Sequence, residues 1–167
     1  MVSRTVSIFL ISAVLFPSIL GARENSSLLY QKGAALARAG KIKESVVLFK
    51  RVVTLSPWYC LGHYGLGKAY LHQERKNSDA IKHLKKATEL DRTYAPAHFY
   101  LGFAYLLGGK KLKAIHSFQQ AYTIDEEYIE SLFNIGVIYD LMGSSLKSHL
   151  YFRRYFLEKE KEEDEIF

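Results

Sequence analysis

Histidine is the residue type in this chain best suited to acid–base or metal chemistry. Six occur among the 167 residues, at His63, His72, His83, His98, His116 and His149. No two of them stand in the H-E-x-x-H spacing that places two zinc ligands on one helix face. A serine hydrolase needs serine, histidine and an acid in fixed geometry, and no accompanying signature marks such a set. The sequence therefore predicts no enzyme, no metal site and no cofactor.

Two of these histidines, His63 and His98, occupy equivalent places in a repeating pattern. We interpret them as partly buried side chains filling an aromatic slot, rather than as metal ligands or a pH switch. Cys60 is the only cysteine, so the chain can form no internal disulfide. Asn25-Ser26-Ser27 matches a glycosylation acceptor sequence.

The repeating pattern follows a glycine period, and this period predicts the elements that position all other residues. The glycines Gly33, Gly67, Gly102 and Gly136 are spaced by 34, 35 and 34 residues. Two further series keep the same register: Ser45, Ala80, Ala114 and Ser148, and Phe49, Leu84, Phe118 and Phe152. The second unit is one residue longer, which we assign to the turn at 74–78. A period of this size is typical of stacked supersecondary units.

Each unit contains two apolar-periodic stretches around a break such as Ala39-Gly40-Lys41, which predicts helix, turn, helix. The eight expected helices are Ser27–Ala39, Ile42–Leu55, Cys60–Gln73, Ser78–Leu90, Ala95–Leu107, Leu112–Ile124, Glu127–Leu141 and Ser145–Lys161. A glycine inside a helix is about 1 kcal/mol less favourable than alanine. We explain the recurring glycine by close approach of the second helix of the unit.

These residues resemble the tetratricopeptide pattern W-x2-L-G-x2-Y, then A-x3-F, then P. The third unit shows it best, with His98, Leu101, Gly102, Tyr105, Ala114 and Phe118. No unit has tryptophan at the first position of the pattern, and only the first unit has the final proline, at Pro57. The resemblance implies an all-α fold, a right-handed α-solenoid of four repeats at 26–59, 60–94, 95–128 and 129–161.

In the family that the chain resembles, the first helix of each repeat lines a concave groove that binds peptides or partner helices. The equivalent residues here are Tyr30, Tyr64, Lys68, Phe99, Phe103, Leu106, Leu107, Phe133, Val137 and Leu141. Those of repeats three and four are more apolar than is usual in such proteins, above all Phe103, Leu106, Leu107, Val137 and Leu141. We therefore expect an apolar helix or peptide to bind in the half of the groove formed by repeats three and four. A lysine–asparagine clamp for a terminal carboxylate is not reproduced, because Tyr30 and Ala34 stand at its first two places.

The last helix offers a second candidate interaction surface at Tyr151, Tyr155 and Phe156. A terminal repeat normally needs a polar outer face. We therefore expect this end to meet another protein, a second copy of the chain in a homo-oligomer, or a membrane.

The first 22 residues differ in character from the repeats. An apolar run at 6–20 follows Arg4 and ends near Gly21-Ala22, which indicates a signal peptide or an uncleaved membrane anchor over 6–22. Either places the protein outside the cytoplasm, exported or periplasmic. Residues 162–167 form an acidic tail beyond the repeats.

The net charge of +6 reflects a lysine-rich stretch from Arg75 to Lys113. We interpret it as a solvated helix face, with anionic lipid or an acidic partner as the alternative; nucleic acid is not expected for an exported protein. The sequence predicts a non-enzymatic protein-binding scaffold, exported or membrane-tethered, that takes an apolar segment and supports assembly of an envelope or membrane complex. The alternative is a structural or membrane-surface subunit that uses the N-terminal anchor and the lysine-rich face.

Overall fold

The computed structural model of the protein describes residues 26–164, and over this range the chain consists of helices joined by turns, without strands. The helices are α1 (26–38), α2 (Ile42–Leu55), α3 (Cys60–Leu71), α4 (Asn77–Leu90), α5 (Ala95–Leu107), α6 (Lys111–Ile124), α7 (Glu130–Asp140) and α8 (Ser145–Asp164). The all-α prediction with eight helices is confirmed. The predicted signal or anchor segment, 1–22, lies outside the described residues.

The helices form four consecutive pairs, from α1–α2 to α7–α8, which we call the first to fourth pairs. From α2 onward each helix packs on those before and after it in sequence, and α3 also contacts α5. This neighbour-on-neighbour packing is the arrangement of a helical solenoid.

The recurring glycine allows close packing inside every pair. A Cβ atom added at Gly102 would lie 2.7 Å from Cε1 of Phe118, which is fully buried. The corresponding distances at Gly33 and Gly136, to Phe49 and Phe152, are both 2.8 Å. Atoms this close overlap, so any side chain at these positions would push the second helix away. The expected close approach is confirmed, and its partner is an aromatic ring in three of the four pairs.

The turn inside the second pair is two residues longer than those of the first and third pairs: one is the predicted extra residue, and the other arises because α3 ends one residue earlier relative to its glycine. The first and third pairs turn over three residues, 39–41 and 108–110, whereas α3 and α4 are joined by five, 72–76. Gly40 and Gly109 adopt left-handed backbone angles, with φ of 76° and 70°. Arg75 occupies this region with φ of 60°, and it is the one non-glycine residue to do so within 26–164.

Two helix boundaries differ from the predicted ones by three residues. α7 begins at Glu130 rather than at Glu127, because the Asp125 carboxylate accepts a hydrogen bond of 3.1 Å from the Glu127 backbone N–H and holds a turn there. α8 continues to Asp164 and so includes the beginning of the predicted acidic tail.

Helix α8 has a bulky side chain at a position that is small in the two preceding pairs. Tyr155 stands at the register where the earlier pairs have Ala87 and Ala121, both fully buried. Its ring contacts Phe133 with the ring centroids 5.4 Å apart. It also packs against the buried cluster of Tyr122, Ile129 and Leu132.

Candidate functional site

A cavity of about 590 Å³ opens along the first helices of the first two pairs, on the side that we call the concave side. Its walls come mainly from α1 and α3, the first helices of those pairs. The lining residues are Tyr30, Gln31, Ala34, Ala37, Arg38, Ile42, Phe49, Tyr64, Gly65, Lys68, Ala69, His72 and Tyr94. A volume of this size is typical of sites that hold a few side chains of a ligand.

The cavity combines an aromatic interior with cationic groups. Tyr30 packs on the buried Phe49 at 5.6 Å between ring centroids, and Tyr64 meets Tyr94 edge to face at 5.1 Å. The Lys68 ammonium lies 4.3 Å from the centroid of the Tyr100 ring. Neither Lys68 nor Arg38 forms an ion pair with any residue of the described range.

The tyrosine hydroxyls of this cavity stay protonated. Burial is the main cause that raises the pKa of Tyr30, Tyr64 and Tyr94, and neighbouring tyrosines contribute to each increase. A neutral hydroxyl can both donate and accept a hydrogen bond. The cavity can therefore bind apolar side chains in its interior while offering polar contacts to a peptide backbone.

The third pair fills the equivalent space with aromatic rings. Phe99 meets Phe103 edge to face at 5.0 Å, and Phe103 meets Phe118 at 5.2 Å. Phe99 also contacts Tyr128 at 5.2 Å. Phe99 and Phe103 are consequently half-buried and already in contact with the protein's own rings. They form a wall on this half of the concave side.

The other predicted groove residues differ in exposure. Leu106 and Val137 are half-buried, whereas Leu107, Leu141 and Phe133 are 67%, 58% and 41% exposed. Phe133 also packs on Phe152 at 5.3 Å. The structure thus brings Tyr30, Tyr64 and Lys68 together in the cavity. It distributes the remaining seven along the second half, and the apolar groove there stays a prediction.

The second and third pairs also differ at one position that lines the cavity. Gly65 lines the cavity, and the same register in the third pair holds Tyr100. A Cβ at Gly65 would lie 2.7 Å from Cε1 of Phe49, so α3 and Phe49 approach closely there. Gly65, Ile42 and Tyr94 were not identified as cavity residues from the sequence, although a third glycine within α3 indicated close packing at this point.

The second candidate surface is only partly open. Tyr151 stacks on Tyr139 at 5.5 Å, and its hydroxyl accepts a hydrogen bond of 3.1 Å from the Gln119 amide. Tyr155 is half-buried, and Phe156 is 55% exposed. The neighbouring Leu150 is 61% exposed, so apolar surface is present at this end of the stack.

The equivalent histidines hold the turns between pairs. His63 Nε2 donates to the Pro57 carbonyl at 3.0 Å, and His98 Nε2 donates to the Arg92 carbonyl at 3.1 Å. Burial lowers the pKa of both, in line with neutral rings that donate from Nε2.

His63 has a second partner that its position in the repeat does not predict. Its Nδ1 lies 3.0 Å from Nδ1 of His83, and the two rings stack at 5.2 Å. Because His63 carries its proton on Nε2, the hydrogen bond between the rings requires His83 to donate from Nδ1. Within 26–164 no group of three or more histidine, cysteine, aspartate or glutamate side chains is placed to hold a metal ion.

The paired helices define the class of the fold, and comparison with known proteins agrees. A family model described as TPR repeat matches residues 71–109. The fold is a tetratricopeptide-type helical solenoid. No curated protein matches the sequence significantly. Across 26–164 no helix has the length and apolarity needed to cross a membrane.

Solved structures resemble the chain over most of its length. A crystal structure of MamA is 25% identical, covers 89% of this chain and 87% of its own, and superposes with a TM-score of 0.79. MamA from Desulfovibrio magneticus RS-1 is 24% identical, with 82% and 77% covered and a TM-score of 0.75. The first TPR of Spaghetti (RPAP3), bound to the HSP90 peptide SRMEEVD, is 19% identical, with 72% and 95% covered and a TM-score of 0.68.

Proposed function

We propose that the protein is a non-enzymatic scaffold whose concave side binds a segment of a partner protein, and that all four helix pairs are tetratricopeptide repeats. The observation that carries the proposal is the open, aromatic cavity between α1 and α3, with Lys68 and Arg38 beside it. A domain of the same fold class, the first TPR of RPAP3, binds a peptide of HSP90, which supports a peptide ligand here.

The proposed ligand is a peptide or helix with a bulky apolar side chain that enters the cavity. The half-buried Tyr30 and Ala34 would contact that side chain above the buried Phe49, and burying it would supply much of the affinity. The exposed Leu107 and Leu141 would extend the contact along the second half of the concave side. Apolar anchors on one face of a bound helix recur every three or four residues, which suits a groove built from successive helices.

We further propose that the scaffold works outside the cytoplasm, as an exported or membrane-tethered protein in an envelope or membrane complex. The support is the apolar run at 6–20 after Arg4. Sequencing the amino terminus of the protein isolated from its native host tests this part. A terminus at Arg23 indicates cleavage and export, and a retained segment in the membrane fraction indicates an anchor. Recovery of the intact chain from the soluble cytoplasm refutes it.

Site-specific photocrosslinking in the native host tests the concave site. A photoreactive amino acid at Ala34, inside the cavity, should crosslink to a discrete partner. The same group at Val47, which is 65% exposed on α2 and outside the cavity, is the matched control and should not. Adding Lys68→Phe places a bulky ring beside the cavity and should abolish the Ala34 crosslink. Equal crosslinks at both positions would refute the site.

A further inference from the structure

The only tryptophan of the chain lies exposed on the turn between α2 and α3. Trp58 is 77% exposed, although tryptophan buries more apolar area than any other side chain when it is covered. Its one described interaction is with the Lys86 ammonium, 5.1 Å from the ring centroid. A large amphipathic ring left in this position contributes little to the core, so it calls for another explanation.

Lys86, which contacts this tryptophan, belongs to a group of three lysines on α4. Lys82, Lys85 and Lys86 border a depression of about 420 Å³ next to the turn. Glu89 is the one carboxylate among its lining residues, and both Lys85 and Lys86 lie 3.7 Å from it. Three ammonium groups thus face a single carboxylate, and the surface is net positive. We call Trp58, Lys82, Lys85 and Lys86 the tryptophan–lysine patch.

The patch does not follow from the repeat itself. In the third pair the same four registers hold Thr93, His116, Gln119 and Gln120. The two helix pairs share their buried glycine, alanine and packing positions, so the fold needs neither the tryptophan nor the lysines. The second pair therefore carries an outer surface that packing does not require.

We infer that the tryptophan–lysine patch docks the protein onto the surface of an anionic lipid bilayer. Tryptophan favours the boundary between head groups and acyl chains, where its ring is covered and its N–H stays hydrated. Flexible lysine ammonium groups are attracted to anionic head groups, and their apolar stems lie along the boundary. The patch contains no arginine for bidentate contacts to bases and a single ring for stacking, so nucleic acid fits it less well.

The placement of the patch keeps it separate from the proposed peptide site. No residue of α4 lines the concave cavity, and none of the four patch residues does. A bilayer at the patch would therefore leave the cavity accessible, and loss of one interaction need not affect the other.

Vesicle cosedimentation of the full chain tests the inference. The apolar run at 6–20 can bind lipid of any charge, so the informative quantity is the gain in affinity when phosphatidylserine is added to phosphatidylcholine. Each lysine at an anionic surface contributes roughly fivefold. The triple variant Lys82→Gln, Lys85→Gln, Lys86→Gln should therefore lower this gain on the order of 100-fold. The matched control Lys41→Gln, Lys43→Gln, Lys110→Gln removes equal charge elsewhere and should retain most of it.

Because Trp58 is the sole tryptophan, its fluorescence reports directly on the contact. Emission should shift to the blue with anionic vesicles, and raised salt should reverse the shift. Trp58→Thr, which copies the third pair, should weaken cosedimentation with anionic vesicles. An equal loss in both triple variants, an unshifted emission from vesicle-bound protein, or tighter binding to duplex DNA or an acidic peptide than to anionic vesicles would each overturn the inference.

Discussion

The first half of the concave side, formed by the first two helix pairs, and the second half, formed by the last two, have the same backbone arrangement but different side-chain packing. At one register the four pairs carry Ala34, Lys68, Phe103 and Val137. In the first half these side chains leave a cavity, and in the second half Phe103 joins a cluster of rings. The comparison teaches that the repeat sets the direction of a side chain, whereas the volume of that side chain decides whether the space there stays open as a cavity or is filled by packed rings.

The largest effect should come from removing the ring at the centre of the second half. Phe118→Ala should lower the free energy of unfolding by about 3–5 kcal/mol, because Phe118 is fully buried and packs under Phe99 and Phe103. Phe49→Ala should lower it by roughly 1 kcal/mol less, since its space opens into the existing cavity. Urea denaturation measures both. Equal losses would show that the first half is as tightly packed as the second.

A smaller difference in stability is expected between alanine variants of Phe103 and Lys68, which stand at the same position of the repeat. Phe103→Ala should lower the free energy of unfolding by about 2 kcal/mol, because a half-buried ring loses edge-to-face contacts with two others. Lys68→Ala should lower it by less than about 1 kcal/mol, since the contacts removed are cation–π contacts with Tyr100 at 4.3 Å and Tyr64 at 5.9 Å. If the lysine variant proves the less stable, the second half is not a packed wall.

Acid should weaken the second pair through its histidines. Burial, followed by the neighbouring His63 and Lys82, lowers the pKa of His83 from 6.5 to about 4. Between these values the unfolded chain binds more protons than the folded one. The contribution of the neutral His83 to the free energy of unfolding is therefore complete above pH 6.5, and it is lost as the pH falls toward 4. The third pair has Ser117 at this register and cannot titrate there.

Urea midpoints measured across this pH window test the histidine pair. The control is His83→Asn, whose amide can still donate to His63 but does not titrate. The variant should lose the part of the acid sensitivity that belongs to His83, and an unchanged pH profile would contradict the role of the pair.

The smallest effect concerns the turns within the pairs. Arg75→Gly should raise the free energy of unfolding by about 1 kcal/mol, because glycine adopts the left-handed angle of 60° without steric penalty. Gly109→Ala in the third pair should lower it by about as much, since an added Cβ there touches nothing and only the backbone is strained. Thermal unfolding can resolve both. A loss of stability in Arg75→Gly would show that Arg75 makes contacts that outweigh its strain.

The fold could be predicted well from the sequence because the repeating glycines stand at the closest contacts between the two helices of each pair. Where the second helix approaches this closely, as Phe118 approaches Gly102, only glycine fits, and so the same residue recurs in each repeat. The extra residue in the second turn followed from the same register. The later start of α7 was missed because it depends on one side-chain hydrogen bond from Asp125, which competes locally with the helix.

The candidate site was less predictable for a physical reason. The repeat register predicted which way Phe99 and Phe103 point, but not that their rings contact each other with centroids 5.0 Å apart. The pairing of His63 with His83 was equally hidden, because these residues lie twenty positions apart on different helices. Contacts of this kind depend on how neighbouring helices are offset, which the repeat pattern does not encode.

The packing of each helix on its neighbours in sequence also bears on how the chain acquires its structure. With contacts this local, little loop entropy is lost before each pair can close. During synthesis the first pair can form as soon as α2 has emerged, and each later pair can add to an ordered template. At α8 the bulky Tyr155 joins this template by packing on Phe133 and on the cluster of Tyr122, Ile129 and Leu132.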